Sequence, residues 1–136
     1  MFEYVRANGQ AARADITRAL DISAGSATTL TADLIAAGFL QEVVGTPREQ
    51  GRGRPPVALA VVPEAAHVIG IKLSYKSHTA VLTNFAGEMI ADLSMQASDK
   101  PLSLPQLLEE ITRLIDRLLS QNQMGRSDVH AVGIGM

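Results

Sequence analysis

Arginine is the residue type that most clearly suggests a binding function in this sequence, because three arginines lie close together. Arg48, Arg52 and Arg54 fall within seven residues that contain one acid, Glu49. In Arg52-Gly53-Arg54-Pro55 the glycine removes bulk and the proline prevents a helix, so two guanidinium groups stand on a slim, extended backbone. Such a segment fits the narrow, electronegative minor groove of A·T-rich DNA. The other interpretation is a solvated linker whose arginines pair with surface acids.

The residues around this cluster have the spacing of short helices followed by a hairpin. The pattern predicts helices over 13–20 and 24–37, with Ser23 as the N-cap of the second. Two candidate strands, 39–44 and 57–62, enclose the arginine cluster. A helix, a short turn, a helix and a hairpin with a basic tip predict a winged helix-turn-helix, whose last helix enters the major groove of DNA. A small helical bundle with an attached hairpin is the alternative.

The predicted recognition helix, 24–37, carries few groups that could read bases. It has no Lys, Arg, Asn or Gln, and Leu30 belongs to the apolar stripe that is expected to face the core. Its serine and threonine hydroxyls can bond phosphates or bases, and its threonine methyls can contact thymine methyls. Much of any affinity is therefore expected from arginines. The candidate DNA-binding residues are Arg18, Ser23, Ser26, Thr28, Thr29, Arg48, Arg52 and Arg54.

Composition and charge exclude several classes of protein. The 136 residues include no cysteine, which excludes disulfides, thiol nucleophiles and thiolate metal sites. The net charge is −2, and residues 1–62 contain six arginines and six acids, so charge alone predicts no strong nonspecific affinity for nucleic acid. No apolar run approaches the roughly 20 residues that cross a bilayer, and the N-terminus lacks a signal-peptide pattern. The sequence therefore predicts a soluble, cytoplasmic protein.

After Pro63 the pattern changes to three strands, a helix and a last strand. The helix is the clearest in the chain, because Ser103 and Gln106 have capping-box spacing and seven large apolar residues follow on one face. Residues 129–136 are predicted to form a buried, central strand, which needs a neighbour on each edge. The β-β-β-α-β order therefore predicts an unfinished sheet, either a fragment of a longer domain or one that another chain completes.

The sequence offers little for catalysis. His67, His78 and His130 lack metal-ligand spacing, and each is interpreted as a core or surface histidine. Glu109-Glu110 is interpreted as part of a solvated helix face that pairs with arginines one turn further on. No nucleophile and base stand in a recognisable arrangement, so no enzyme activity is predicted.

Several of these motifs together resemble regulators of the ROK family, which groups transcriptional repressors with sugar kinases. The resemblance rests on Gly51-Arg52-Gly53-Arg54-Pro55-Pro56, followed by a strand and by His67-Val68-Ile69-Gly70-Ile71. The stretch from Ile22-Ser23 to Gly38-Phe39-Leu40 is similar to the family's turn and recognition helix. Residues 131–135 resemble the strand that leads into the family's sugar-site loops.

The resemblance implies an α/β fold, α+β overall, with two parts. Residues 1–62 would form the winged helix-turn-helix, with its Gly-Arg-Pro wing or linker. Residues 63–136 would form the beginning of an actin-like, ribonuclease-H-type domain for effector binding and dimerisation. The implied function is a DNA-binding regulator, a repressor of sugar-metabolism genes and a homo-oligomer. A sugar or sugar-phosphate effector would bind only if the rest of the domain is present. The family's zinc motif lies beyond the position of Met136, so no cofactor is expected in this chain.

The same resemblance separates regulator from kinase. ROK kinases carry an Asp-x-Gly-Gly-Thr phosphate loop after the first strand of this domain, whereas this chain has Lys72-Leu73-Ser74-Tyr75-Lys76. The carboxylate and both glycines are replaced, which predicts no ATP-dependent phosphorylation of sugars. The remaining alternative is a truncated interaction protein that keeps a dimerisation surface and has no useful affinity for DNA.

Overall fold

The chain folds as two compact units, residues 1–65 and 66–136. The computed structural model describes residues 1–45, 53 and 56–136. The first unit contains α1 (Phe2–Asn8), β1 (Gln10–Ala11), α2 (Arg13–Leu20), α3 (Ala24–Ala36), β2 (Leu40–Val44) and β3 (Val57–Val61), and it ends in a 3-10 turn (Pro63–Ala65). The second contains β4 (His67–Lys72), β5 (Ser77–Asn84), β6 (Met89–Gln96), α4 (Leu104–Gln121), a 3-10 turn (Arg126–Asp128) and β7 (Ala131–Gly135). The predicted mixed α/β class is confirmed.

A three-residue turn joins α2 to α3. Asp21 adopts the left-handed conformation, with φ 51° and ψ 48°, and the Ile22 N–H donates to the Thr17 carbonyl at 3.2 Å. Aspartate tolerates this conformation better than most residues other than glycine. Ser23 then caps α3, since its Oγ accepts a hydrogen bond from the Ser26 N–H at 3.0 Å. Local hydrogen bonds thus set where one helix ends and the next begins.

The C-terminus of α3 is closed by a Schellman motif. Gly38 has φ 80°, its N–H donates to the Ile35 carbonyl at 2.9 Å, and the Phe39 N–H donates to the Leu34 carbonyl at 3.0 Å. A residue with a Cβ would be strained at this φ, which explains the glycine. The motif turns the chain directly into β2.

Helix α3 buries a narrower stripe than its sequence predicts. Ala27 and Thr31 are its buried residues, whereas Leu30 is 44% exposed. The prediction that Leu30 faces the core was therefore wrong. Residues four apart share a helix face, while Leu30 lies about 100° around the helix from Thr31. Small residues at 27 and 31 let α3 lie close to the rest of the unit, and this packing leaves the leucine outside.

The strands of the first unit form an antiparallel sheet in the order β1-β3-β2. Strand β1 is only two residues long, too short for an alternating pattern to be visible in the sequence. Beyond the last β2–β3 pair, Val44 and Val57, the Gly45 N–H donates to the Pro56 carbonyl at 2.7 Å. A Cβ on Gly45 would lie 2.9 Å from that carbonyl oxygen, so glycine is required for this close approach.

The second unit has the predicted β-β-β-α-β order, and its sheet runs β6-β5-β4-β7. Helix α4 begins with the predicted capping box of Ser103 and Gln106. The core lies between this helix and one face of the sheet. It contains Ile69, Ile71, Ala80, Leu82, Ile111, Leu114, Leu118 and Leu119. Among the described residues, no helix is long and apolar enough to cross a membrane.

Strand β7 forms where the sequence places it, but it is exposed. It pairs in parallel with β4, and β4 alone borders it within the described part of the chain. All five of its residues are exposed, including Val132 at 45% and Ile134 at 52%. The prediction of a buried, central strand was therefore wrong for this structure. Helix α4 packs mainly on β5 and β6, which lie toward the opposite edge of the sheet from β7. The face of β7 is therefore left uncovered.

Candidate nucleic-acid interface

The hydroxyl-bearing residues of the predicted interface share the outer surface of α3. Ser23, Ser26, Thr28 and Thr29 are all exposed, within seven consecutive residues at the start of the helix. Ser23 also caps the helix through the Ser26 N–H, so it has a structural role in addition to the predicted one. The structure therefore brings these four residues together at one exposed end of the helix.

Arg18 lies on α2 and is available to a phosphate. Its side chain is 77% exposed, and its Nη1 lies 3.6 Å from Asp15 Oδ1. Exposed ion pairs of this length contribute little stability, because water screens the charges. Exchanging Asp15 for a phosphate oxygen would therefore cost little.

The other predicted arginines belong to the connection between β2 and β3. The strand pairing ends at Val44 and Val57, so residues 46–55 join two antiparallel strands. Arg48, Arg52 and Arg54 are in this connection and lie outside the described residues. Along the chain, the arginine cluster thus follows one strand of the antiparallel pair and precedes the other.

The rest of the first unit carries more acid than base. Residues 1–45 contain three arginines and five acids. Each of these arginines has an acidic partner: Arg6 pairs with Glu3, Arg13 with Glu42 at 2.6 Å, and Arg18 with Asp15. The hydrogen bond between Arg6 and Glu3 lowers the pKa of Glu3 and raises the pKa of Arg6.

Residues 46–55 contain the other three arginines and one acid, Glu49, so the positive excess within residues 1–62 lies in this segment. Overall neutrality of residues 1–62 conceals this separation of charge. The i, i+3 spacing of Arg6 with Glu3 is visible in the sequence. The pair of Arg13 with Glu42, which joins α2 to β2, exists only in the folded chain.

In the second unit, His78 and Glu110 form a buried contact that the sequence interpretation missed. His78 is 6% exposed, and its Nε2 lies 3.3 Å from Glu110 Oε2, at ion-pair distance but without the alignment of a hydrogen bond. Its Nδ1 accepts a hydrogen bond from the Ser74 N–H at 3.4 Å. The Glu110 side chain is only 18% exposed. Its assignment to a solvated face was therefore wrong, because α4 packs this carboxylate against β5.

The turn after β4 differs from a phosphate loop in its geometry as well as its sequence. The Leu73 N–H donates to the Gly135 carbonyl at 2.8 Å, and the Ser74 N–H is directed to His78. Tyr75 is fully exposed. Two backbone N–H groups that could face a phosphate are thus already bonded within the unit. In the described ranges, no three His, Asp or Glu side chains are placed to hold a metal ion.

The sequence is similar to proteins that are named as repressors. The chain is 29% identical over 126 residues to the xylose repressor of Caldicellulosiruptor bescii, an alignment that covers 91% of this chain and 30% of the relative. It is 28% identical over 116 residues to the DNA-binding transcriptional repressor Mlc of Escherichia coli K12, covering 85% of this chain and 28% of Mlc. No protein-family model matches the chain.

The fold of the chain is also similar to that of a solved structure. A crystal structure of a ROK family transcriptional regulator, a homologue of E. coli Mlc, has a TM-score of 0.63 to this chain at 22% identity. It is matched over 90% of this chain and 30% of its own. The chain thus spans less than a third of the length of the relatives it matches. This chain is thus a sequence relative of proteins named xylose repressor and Mlc, over 91% and 85% of its length, and over 90% of its length its fold matches part of a ROK-family transcriptional regulator.

Proposed function

We propose that this chain carries the DNA-binding function of a transcriptional repressor of sugar-metabolism genes. The observation that supports it most directly is the order of elements in the first unit: two helices joined by a three-residue turn, then a hairpin whose connection holds three arginines. The relatives support it independently, because their names are those of repressors.

The proposed mode of binding follows the winged helix-turn-helix assignment of residues 1–62. Helix α3 lies in the major groove, and Arg52 and Arg54 lie in or beside the minor groove. Phosphates are held by Arg18 and Arg48, and the exposed surface of α3 contacts the DNA through its serines and threonines. The proposed DNA-contacting residues are Arg18, Ser23, Ser26, Thr28, Thr29, Arg48, Arg52 and Arg54.

The second unit, within 63–136, is proposed as part of an actin-like domain for effector binding and dimerisation. In the assembled regulator, a sugar or sugar phosphate changes the shape of this domain and thereby the spacing of two DNA-reading units. The chain is proposed to act in the cytoplasm, as a homo-oligomer, and without enzymatic activity. Mixing it with ATP and a panel of hexoses tests the last point, since sugar-dependent release of ADP would contradict it.

Fluorescence anisotropy with labelled A·T-rich duplexes tests the DNA proposal. The double variant Arg52→Ala, Arg54→Ala is expected to bind more weakly. Its slope of log affinity against log salt should fall by up to about 1.8, because each positive charge that no longer displaces counterions from the DNA lowers the slope by about 0.9. Arg126→Ala is the matched control, since it removes an arginine of the second unit that is 68% exposed and paired with Asp116. Equal affinity and slope in wild type and double variant would contradict the minor-groove role.

A second candidate is an interaction protein without useful affinity for DNA. It is favoured by the acidic excess of residues 1–45 and by the exposed apolar side chains of β7. A groove of about 380 Å³ beside this strand is lined in part by Ile115, Leu119 and Val132. Sedimentation of wild type and of Ile134→Lys distinguishes the two functions. Self-association that the lysine abolishes, in a chain that binds no duplex at low salt, would favour the interaction protein.

A further inference from the structure

The two threonines on the outer surface of α3 have their hydroxyl protons bonded to the helix itself. Thr28 Oγ1 donates to the Ala24 carbonyl at 2.9 Å, and Thr29 Oγ1 donates to the Gly25 carbonyl at 3.2 Å. Such bonds to the carbonyl four residues back are common for threonine within helices. Neither hydroxyl therefore has a proton left to give to a base.

The serines at the start of the helix offer little more. Ser23 Oγ accepts from the Ser26 N–H and donates to Ser26 Oγ at 2.9 Å. Among these four hydroxyl groups, all within the described residues, Ser26 holds the one proton that is not directed to another atom of the helix. The helix has no Lys, Arg, Asn or Gln to add a longer donor.

This shortage of donors bears on which base pairs α3 can read. In the major groove guanine presents two acceptors, N7 and O6, and is read by donors, most often Arg or Lys. Thymine presents its 5-methyl group, which is read by apolar contact, including contact with threonine methyls. The surface of α3 is thus poorly suited to guanine and well suited to thymine.

The position of Thr29 makes it the central residue for such a contact. It is exposed and lies on the side of the helix opposite the midpoint of Ala27 and Thr31, the two buried residues. With Oγ1 turned back to Gly25, its methyl group occupies a different staggered position, away from that carbonyl. Thr28 presents a second methyl at the flank of the same surface.

We propose that α3 selects A·T pairs by contact between the methyl groups of Thr29 and Thr28 and the 5-methyl groups of thymine. This inference rests on the proposed function, because it specifies what the proposed DNA interface reads. Thr29 is its specificity-determining residue, and the hydroxyl serves only to fix the direction of the methyl.

The test begins with selection of tight-binding duplexes from a random library by the whole chain. Each thymine of the selected site is then replaced singly by deoxyuridine, which removes only the methyl group. At one or two positions the affinity is expected to fall about four-fold, the effect of one buried methyl. The same positions should prefer A·T over G·C in the selected set.

Two variants of Thr29 separate methyl contact from hydrogen bonding. Thr29→Ser keeps the hydroxyl and loses the methyl, so it should bind thymine and deoxyuridine equally at the position that Thr29 contacts, while a position contacted by Thr28 still discriminates. Thr29→Val keeps a methyl and loses the hydroxyl, so it should still discriminate. Thr112→Ser is the matched control, because Thr112 on α4 is also exposed and its Oγ1 donates to the Leu108 carbonyl at 2.8 Å. It should discriminate as wild type does, and helical circular dichroism checks that all variants fold.

The outcomes are distinguishable from those of the proposed function. Discrimination that survives Thr29→Ser at every selected position, or that is lost at every position in Thr29→Val, would overturn methyl readout by Thr29 while leaving DNA binding intact. Selected sites rich in G·C under α3 would do the same. A wild-type chain that binds no duplex at low salt would overturn the proposed function, and this inference with it.

Discussion

Helices α3 and α4 begin with similar local signals but differ in which side chains they bury. Both begin at a serine N-cap, Ser23 for α3 and Ser103 for α4. Helix α3 has 13 residues and buries two of them, both small, whereas α4 has 18 residues and buries one isoleucine and three leucines. Most of the large apolar side chains of α4 lie in or against the core of its own unit, although Leu104 and Leu108 are exposed, while most of α3 faces outwards.

The difference shows where a binding surface can be found in this chain. A helix that contributes little to the core is free to carry residues chosen for another purpose, because substitutions on its surface cost little stability. Helix α3 fits this description, with its threonines, alanines and one exposed leucine. Helix α4 is held in its unit by the burial of one face, and the residues of its other face are exposed.

Truncation of one leucine in each helix is expected to show the largest difference in stability between α3 and α4. Leu114 in α4 is fully buried, and Leu114→Ala is expected to lower the free energy of unfolding by about 3 kcal/mol. Leu30 in α3 is 44% exposed, so Leu30→Ala should cost less than about 1 kcal/mol. Urea denaturation followed by circular dichroism measures both. Equal losses would show that α3 is as much a core helix as α4.

Removal of the caps should affect the two helices alike. Ser23→Ala and Ser103→Ala are each expected to cost about 1 kcal/mol, because each leaves a first-turn N–H without its side-chain acceptor. Aspartate at the same positions restores an acceptor and serves as control. A cost confined to Ser103→Ala would mean that α3 depends on something other than its cap.

Two residues in left-handed conformations give a smaller contrast between the units. Gln123, after α4, has φ 55°, and Asp21, after α2, has φ 51°. Gln123→Gly should raise the free energy of unfolding by about 0.5 kcal/mol, because glycine adopts this conformation without a Cβ clash and the hydrogen bond that is lost, from Gln123 Nε2 to the Gln121 carbonyl, is exposed. Asp21→Gly should change it less. Thermal melts of both variants beside wild type decide the order, and a larger gain at Asp21 would reverse the argument.

The smallest effect should come from an exposed ion pair of the second unit, and it should depend on pH. Two hydrogen bonds from Arg126, at 2.7 and 2.6 Å, lower the pKa of Asp116 in the folded chain. The stabilisation is therefore present above the pKa of the unfolded chain and is lost as the pH falls through the lower, folded pKa. Asp116→Asn should be slightly less stable than wild type at neutral pH and equal to it in acid. A difference that persists unchanged in acid would show that the pair is not its cause.

Much of the architecture was predictable because it depends on short-range signals. The ends of α2 and α3, the capping box of α4, and the β-β-β-α-β order follow from residues within a few positions of one another. So does the placement of Arg48, Arg52 and Arg54 between two strands. The candidate hydroxyls of α3 were also predicted to be exposed, since polar residues on a helix with a narrow apolar stripe face water.

The predictions that were wrong concern which side of an element is covered. Leu30 and β7 are apolar and were expected to be buried, and Glu110 is charged and was expected to be solvated. Each depends on what another element does: the rotation of α3 on its unit, the position of α4 over the sheet, and the contact of α4 with His78. Strand β1 was missed because two residues acquire strand geometry only by pairing with β3.

The sequence by itself determined where the elements begin and end and which chemical groups each one carries. Caps, left-handed turns and apolar spacing act over three or four residues, and hydrogen bonding within that range is set by residue type. Only the tertiary structure decided which faces are covered and that Arg13 pairs with Glu42. Those outcomes depend on long-range packing and on rotamers, because burial and side-chain direction belong to a residue's surroundings rather than to its type.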